Sequence, residues 1–176
     1  MDGVWGLRPQ LGPGAGPLVF LPVARLVRTC DCGRMTGEIR TLHASAAARD
    51  GAGVLLLGPP GSGKSDLLLR LIHHGFTLVA DDQVQLNGLH ASAPKNLAGL
   101  LEVRGLGIAR FPYTDATLML AVNLAPGPRL PEPKRLPDID LCVINLDPGA
   151  ASAPLRVALA LDCLQGKIAM TAGAFA

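Results

Sequence analysis

The sequence predicts an α/β domain, and three observations carry that expectation. An apolar run, Val54-Leu55-Leu56-Leu57, leads into the glycine-rich GPPGSGKS at residues 58–65, and a helix-patterned segment follows at once. Further short apolar runs come after it and end in a second helical pattern near the C-terminus, as expected of strands and helices sharing one sheet. Hydrophobic residues make up 49% of the 176 and charged ones 17%, ample for a single core. Aromatics are only 3%, so that core must be built from Leu, Val, Ile and Ala.

Taken in order, residues 1–34 carry Gly or Pro at short intervals with no sustained period, which predicts a poorly ordered extension ahead of a domain at 35–176. Prolines at 13, 17 and 22 interrupt its apolar centre, and only Arg8 precedes it as a basic residue, a poor fit to a signal peptide. Met35 stands directly before the first well-patterned segment and is a candidate start of translation. Residues 39–44 read as a strand, and Arg49-Asp50-Gly51 as a hairpin turn into the next. After the glycine-rich stretch, Leu67, Leu68, Leu71 and Ile72 share one helical face, and Gly75 marks the stop. Residues 76–80 form a buried strand ending in Asp81-Asp82; Val84 and Leu86 alternate with polar neighbours before the Asn87-Gly88 turn. Pro94 is expected to open a short helix carrying Leu97, Leu100 and Leu101. Strands are expected at 118–122 and 141–146, a proline-rich loop at 126–137, and a last helix at 155–164.

The stretch Gly58, Pro59, Pro60, Gly61, Ser62, Gly63, Lys64, Ser65 satisfies G-x-x-x-x-G-K-[ST] between a strand and a helix. Glycines let backbone N–H groups converge on an anion, and the helix start adds unsatisfied donors and a positive dipole end. Lys64 would reach the terminal phosphates of a nucleotide and the Ser65 hydroxyl would hold Mg²⁺.

Other classes fit less well. A formal charge of +2 gives no basis for a nucleic-acid partner, and no apolar run reaches the length of a membrane span. Cys30 and Cys32 lack zinc-site spacing; with Cys142 and Cys163 they read as free thiols of a reducing cytoplasm.

Asp81 and Asp82 close a strand just after the phosphate loop, and alternation along an extended chain sends them in opposite directions. One could face a metal ion while the other meets an acceptor, the two carboxylate tasks of phosphoryl transfer. Glu102, before Arg104-Gly105-Leu106-Gly107, is either a second metal ligand or one half of a surface ion pair; the pattern alone allows both. His43 stands on the strand next to the loop strand. His73 and His74 suit the negative end of the first helix.

These pieces together resemble the C-terminal catalytic domain of HPr kinase/phosphorylase. In that family a histidine lies 21 residues before the loop lysine and an Asp-Asp pair ends 18 after it, as His43, Lys64 and Asp82 do here. Residues 101–108, LEVRGLGI, match the family signature L-E-[IV]-R-G-L-G-I. The likeness covers about residues 39–110. It implies a cytoplasmic kinase that uses ATP and Mg²⁺ to phosphorylate a serine of the phocarrier HPr, and a reverse phosphorolysis of the phosphoserine. It places His43, Lys64, Asp81, Asp82 and Arg104 in the catalytic centre, with Ser65 and Glu102 on the metal. Asp82 is the expected proton acceptor, Asp81 the alternative. The fold implied is a P-loop domain with a mixed sheet, related to phosphoenolpyruvate carboxykinase, and the assembly a homo-oligomer, a hexamer by analogy. The arginine-rich segments of longer family members are not visible, a layout similar to shortened alphaproteobacterial forms. A nucleotide- or phosphate-sensing module without transfer, and a small-molecule kinase, are the competing readings.

Overall fold

In the computed structural model, residues 39–176 are described; the expectations for residues 1–34, for Cys30 and Cys32 and for a start at Met35 lie outside them. β1 (Arg40–Leu42), β2 (Ser45–Arg49) and β3 (Ala52–Leu57) precede helix α1 (Lys64–His73). β4 (Thr77–Ala80), β5 (Val84–Asn87), β6 (His90–Ser92), β7 (Leu100–Val103) and β8 (Gly107–Arg110) follow. β9 (Ala116–Asn123), β10 (Arg135–Leu136), β11 (Leu141–Asn145) and helix α2 (Ala153–Leu164) complete the order.

Local chemistry accounts for most of these boundaries. Asp50 and Gly51 take φ of 53° and 79°, the left-handed pair that a tight hairpin between β2 and β3 requires. α1 buries Leu67, Leu68 and Leu71 and carries an Asp66–Arg70 ion pair one turn apart on its outer face. Two expectations are corrected. The strand expected over 39–44 breaks at His43, because β1 pairs with β5 while β2 pairs with β3 and β4. The helix expected from Pro94 does not form; residues 95–99 are turns, and Leu100 and Leu101 enter β7. Gly99 has φ of 76°, and a Cβ there would meet the Phe111 carbonyl oxygen at 2.9 Å. The chain must turn sharply at that point, whatever helical spacing the leucines suggest.

Among the described residues, nine strands form one sheet in the order β1-β5-β6-β9-β3-β2-β4, with β11 added to β9 and β10 to β11. The pairs β3/β9 and β9/β11 are parallel and the remainder antiparallel, so the sheet is mixed, as the family resemblance implied. β7 and β8 form a separate two-stranded hairpin.

Alternation along the strands divides the core into two clusters. Val54, Leu56, Leu120 and Val122 pack with the leucines of α1 and with Val157 and Leu161 of α2. Leu55, Val79, Val84, Leu86 and Ala121 fill the opposite face. β9 serves both by a bulge: Gly53 pairs with Leu118 but Val54 with Leu120, leaving Met119 extra. Ahead of the bulge Ala116 and Leu118 belong to the second cluster; beyond it Leu120 and Val122 belong to the first. One inserted residue therefore exchanges which face the even-numbered side chains supply.

Candidate active site

The site follows from strand direction. β3 and β4 both run antiparallel to β2, so β3 and β4 end on the rim where β2 begins. That rim receives the phosphate loop from β3, Asp81 and Asp82 from β4, and His43 and Ser45 from the entry to β2. The β7–β8 hairpin brings Glu102, Val103 and Arg104 to the same place. All of these side chains border one cavity of about 470 Å³, together with Pro60, Gly61, Gly63, Lys64 and Ser65. Gly58, Pro59 and Ser62 complete the loop without lining the cavity.

The loop is tight. A Cβ on Gly58 would lie 2.6 Å from the Ser62 hydroxyl and 3.1 Å from its Cβ, so any larger residue there would have to displace Ser62. Gly63 caps α1 in the left-handed conformation with φ of 91°. Behind it, Arg70 donates to the carbonyls of Pro148 and Ala150, and Pro148 sits 3.5 Å from where a Cβ on Gly63 would be. The loop thus rests on a second loop held by an arginine.

Lys64 is only 7% exposed, yet its Nζ donates to neutral carbonyls, those of Gly58 at 2.9 Å and Pro59 at 3.1 Å. Among the described residues it forms no ion pair. A buried ammonium without a counter-charge, bordering a cavity at a helix N-terminus, fits an anionic ligand such as a nucleotide phosphate.

The two aspartates separate, though not by strand alternation: both lie past the end of β4 at Ala80, in a bend where Asp82 leaves the extended conformation. Asp81 is buried and its Oδ1 accepts from Ser65 Oγ at 3.0 Å and from Ser45 Oγ at 2.6 Å. Asp82 turns out to the cavity mouth, where His43 Nδ1 lies 3.0 Å from its Oδ1 and 3.0 Å from its carbonyl oxygen. Asp82 adopts φ of 67°, a left-handed conformation unfavourable for a residue with a Cβ. Strain at such a position is characteristic of sites where geometry takes precedence over stability. Asp82→Gly is accordingly expected to hold the melting temperature or raise it, by up to about 1 kcal/mol of stability. A drop of several degrees would show instead that the His43 contact outweighs the backbone strain.

Ser65 and Asp81 are hard oxygen donors suited to Mg²⁺. Among the described residues, no group of three or more His, Cys, Asp or Glu side chains could hold a metal on its own. That donor set fits an ion that arrives with a nucleotide and takes phosphate oxygens as its remaining ligands. Glu102 borders the cavity from the hairpin, but no hydrogen bond among the described residues joins it to Ser65 or Asp81. Arg104 is exposed at the cavity edge. The structure thus brings His43, Asp81, Asp82, Glu102 and Arg104 to the cavity that the phosphate loop borders. Ser45 was missed; its signal was a lone hydroxyl inside the alanine-rich run at 44–48.

Comparisons with known proteins point to one kind of enzyme domain. Residues 36–113 match the family described as the HPr Serine kinase C-terminal domain. HPr kinase/phosphorylase of Malacoplasma penetrans is 45% identical over 71 residues, which are 38% of this chain and 24% of that protein. The Bordetella pertussis protein of the same name is 40% identical over 102 residues, 52% of this chain and 33% of its own length. These matches therefore span about a quarter to a third of the curated relatives. The solved structure of the Hpr(Ser) kinase/phosphatase from Coxiella burnetii superimposes with a TM-score of 0.61 at 26% identity, covering 73% of this chain and 92% of that one. The sequence match stops at residue 113 while the structural one takes in nearly three-quarters of the chain, and both point the same way: residues 36–113 are similar to the HPr serine kinase C-terminal domain, and the chain shares the fold of a solved HPr(Ser) kinase/phosphatase.

Proposed function

We propose that this chain is an ATP-dependent serine kinase acting on an HPr-type phosphocarrier protein, with the reverse phosphorolysis of the phosphoserine as a second activity. The observation that carries this reading is the division of labour between the two aspartates within one cavity. Asp81 lies against Ser65 on the floor of the phosphate cradle, and Asp82 lies at the mouth beside His43. A protein hydroxyl can reach the second without disturbing the first. Bound Mg²⁺–ATP supplies the phosphoryl group and the charge neutralisation that its transfer needs.

The protein's own part is positional and acid–base. Lys64 and the loop N–H groups hold the phosphate chain; Ser65 and Asp81, with Glu102 from the hairpin, would hold the ion. Asp82 accepts the proton of the serine hydroxyl as the new O–P bond forms, and His43 fixes the orientation of Asp82. Arg104 at the cavity edge stabilises negative charge on the transferring group. In the reverse direction inorganic phosphate attacks the phosphoserine phosphorus, the serine O–P bond breaks as pyrophosphate forms, and Asp82, having taken the proton of the attacking phosphate, passes it to the serine oxygen. The names of the relatives, all HPr kinase/phosphorylase or HPr(Ser) kinase/phosphatase, support HPr as the acceptor. On the resemblance alone, the enzyme is read as cytoplasmic and homo-oligomeric, acting in the regulation of carbohydrate metabolism. No helix among the described residues is long and apolar enough to cross a membrane. The intact aspartate pair argues against a sensing module without transfer.

Incubating the chain with γ-labelled ATP, Mg²⁺ and HPr should label a serine of HPr; ATP binding without any labelling would remove the kinase assignment. In the same assay Glu102→Gln should need several-fold more Mg²⁺ for half-maximal rate, with the rate at saturating Mg²⁺ nearly restored, because a neutral amide is a weaker ligand for the ion than a carboxylate. An unchanged Mg²⁺ requirement would take Glu102 off the metal.

A further inference from the structure

We propose that Ser45 is a positioning residue for the divalent cation: its hydroxyl fixes the rotation of the Asp81 carboxylate so that the second oxygen is presented to the metal. This rests on the reading of the cavity as a metal–nucleotide site. Ser45 is completely buried in β2, flanked by Ala44, Ala46, Ala47 and Ala48, all of them buried as well. Packing alone would be served by a fifth alanine, and a buried hydroxyl without a partner is unfavourable. Its partner is Asp81 Oδ1, at 2.6 Å. Ser65 Oγ donates to the same oxygen at 3.0 Å.

Two donors on one oxygen leave the other open. Asp81 Oδ2 accepts no hydrogen bond from a described residue, and it is not among the buried polar atoms left without a partner. Asp81 borders the cavity, so this free oxygen is accessible there, beside Ser65. The Asp81 side chain has two torsions, χ1 and χ2, about which the carboxylate could swing away. Ser65 alone does not prevent this, since its hydroxyl would also serve the ion. Ser45 approaches from the opposite strand with no other contact to satisfy. Its register is set by the Ser45–Leu56 and Ala46–Ala80 pairs of the sheet, which makes it a rigid anchor. Outer-shell partners of this kind typically change metal affinity by about ten- to a hundredfold when removed.

The test uses the full chain with Mn²⁺ as probe, counting free ion by its paramagnetic resonance in the presence of ADP. Ser45→Ala is expected to raise the Mn²⁺ dissociation constant about tenfold or more. Ser45→Thr, which keeps the hydroxyl, should restore it, while Ser45→Cys, similar in volume but a weak donor, should behave like alanine. A purely structural role would lower the melting temperature of Ser45→Ala and leave its Mn²⁺ affinity unaltered, and that result overturns the inference. If Ser45→Ala does not fold, Ser45→Cys decides in the same way. Absence of Mn²⁺–ADP binding by the unaltered chain would overturn the metal–nucleotide reading itself, and this inference with it.

Discussion

In Asp82→Asn, phosphate transfer to HPr is expected to fall by roughly a hundredfold or more, the usual contribution of a positioned acid–base group, while the affinity for Mg²⁺–ATP stays nearly unchanged. Asparagine suits this position unusually well. It is among the few residues that tolerate the left-handed conformation found at residue 82. Its amide oxygen also stands in for the Oδ1 that His43 approaches. What it loses is the ability to take a proton. The metal-side groups, Ser65 and Asp81, point to the floor of the cavity and are untouched. Transfer to HPr and nucleotide binding should therefore part company in this variant. Rescue of turnover by excess Mg²⁺ would make Asp82 a ligand instead. Asp81 would then be the remaining candidate base, although two serine hydroxyls already occupy its Oδ1.

Lys64→Ala should lose roughly a hundredfold in rate, equivalent to about 3 kcal/mol, because charge accumulates on the phosphates where the ammonium points. Unlike the change at Asp82, this one should weaken nucleotide binding as well. The side chain spans the loop, with Nζ bonded to the carbonyls of Gly58 and Pro59. Its removal deprives two acceptors of a donor and the cavity of its buried cation. Turnover and affinity, measured with ATP as the varied substrate, should both decline. Unchanged turnover would dismiss the phosphate-loop assignment, and loss of rate at constant affinity would confine the role of Lys64 to the transferring phosphate.

The parts of the fold visible in the sequence are those written in short-range patterns. GPPGSGKS, the Asp50–Gly51 turn, the leucine face of α1 and the strands after it all depend on residues within a few positions of one another. That Asp81 and Asp82 part was expected from strand alternation, but the pair lies in a bend past β4 with Asp82 left-handed, a geometry that the pattern does not contain. What was hidden depends on distant partners. The break at His43 arises because β1 and β2 join different neighbours, while the sequence from 39 to 44 stays evenly patterned. Leu97, Leu100 and Leu101 imitate helical spacing, but Leu101 is buried from the β7–β8 hairpin, in the cluster that includes α1. Ser45 gained its meaning only when the pairing of β2 with β4 set it against Asp81, 36 positions away.

The parallel pairing of β3 with β9 also bears on how the domain can be divided. The segment matching the family ends at residue 113, just before β9, which pairs with all six residues of β3 from Ala52 to Leu57. A fragment trimmed to that match would retain the phosphate loop, both aspartates and the hairpin. It would also carry Ala-Gly-Val-Leu-Leu-Leu as an open edge, uncharged and free of proline. Bare edges of that composition recruit one another into intermolecular β-structure. A piece that remains dispersed must therefore extend past β9 and on through β11, which covers the far edge of β9 from Leu120 to Asn123, so the boundary of solubility lies beyond the boundary of sequence likeness.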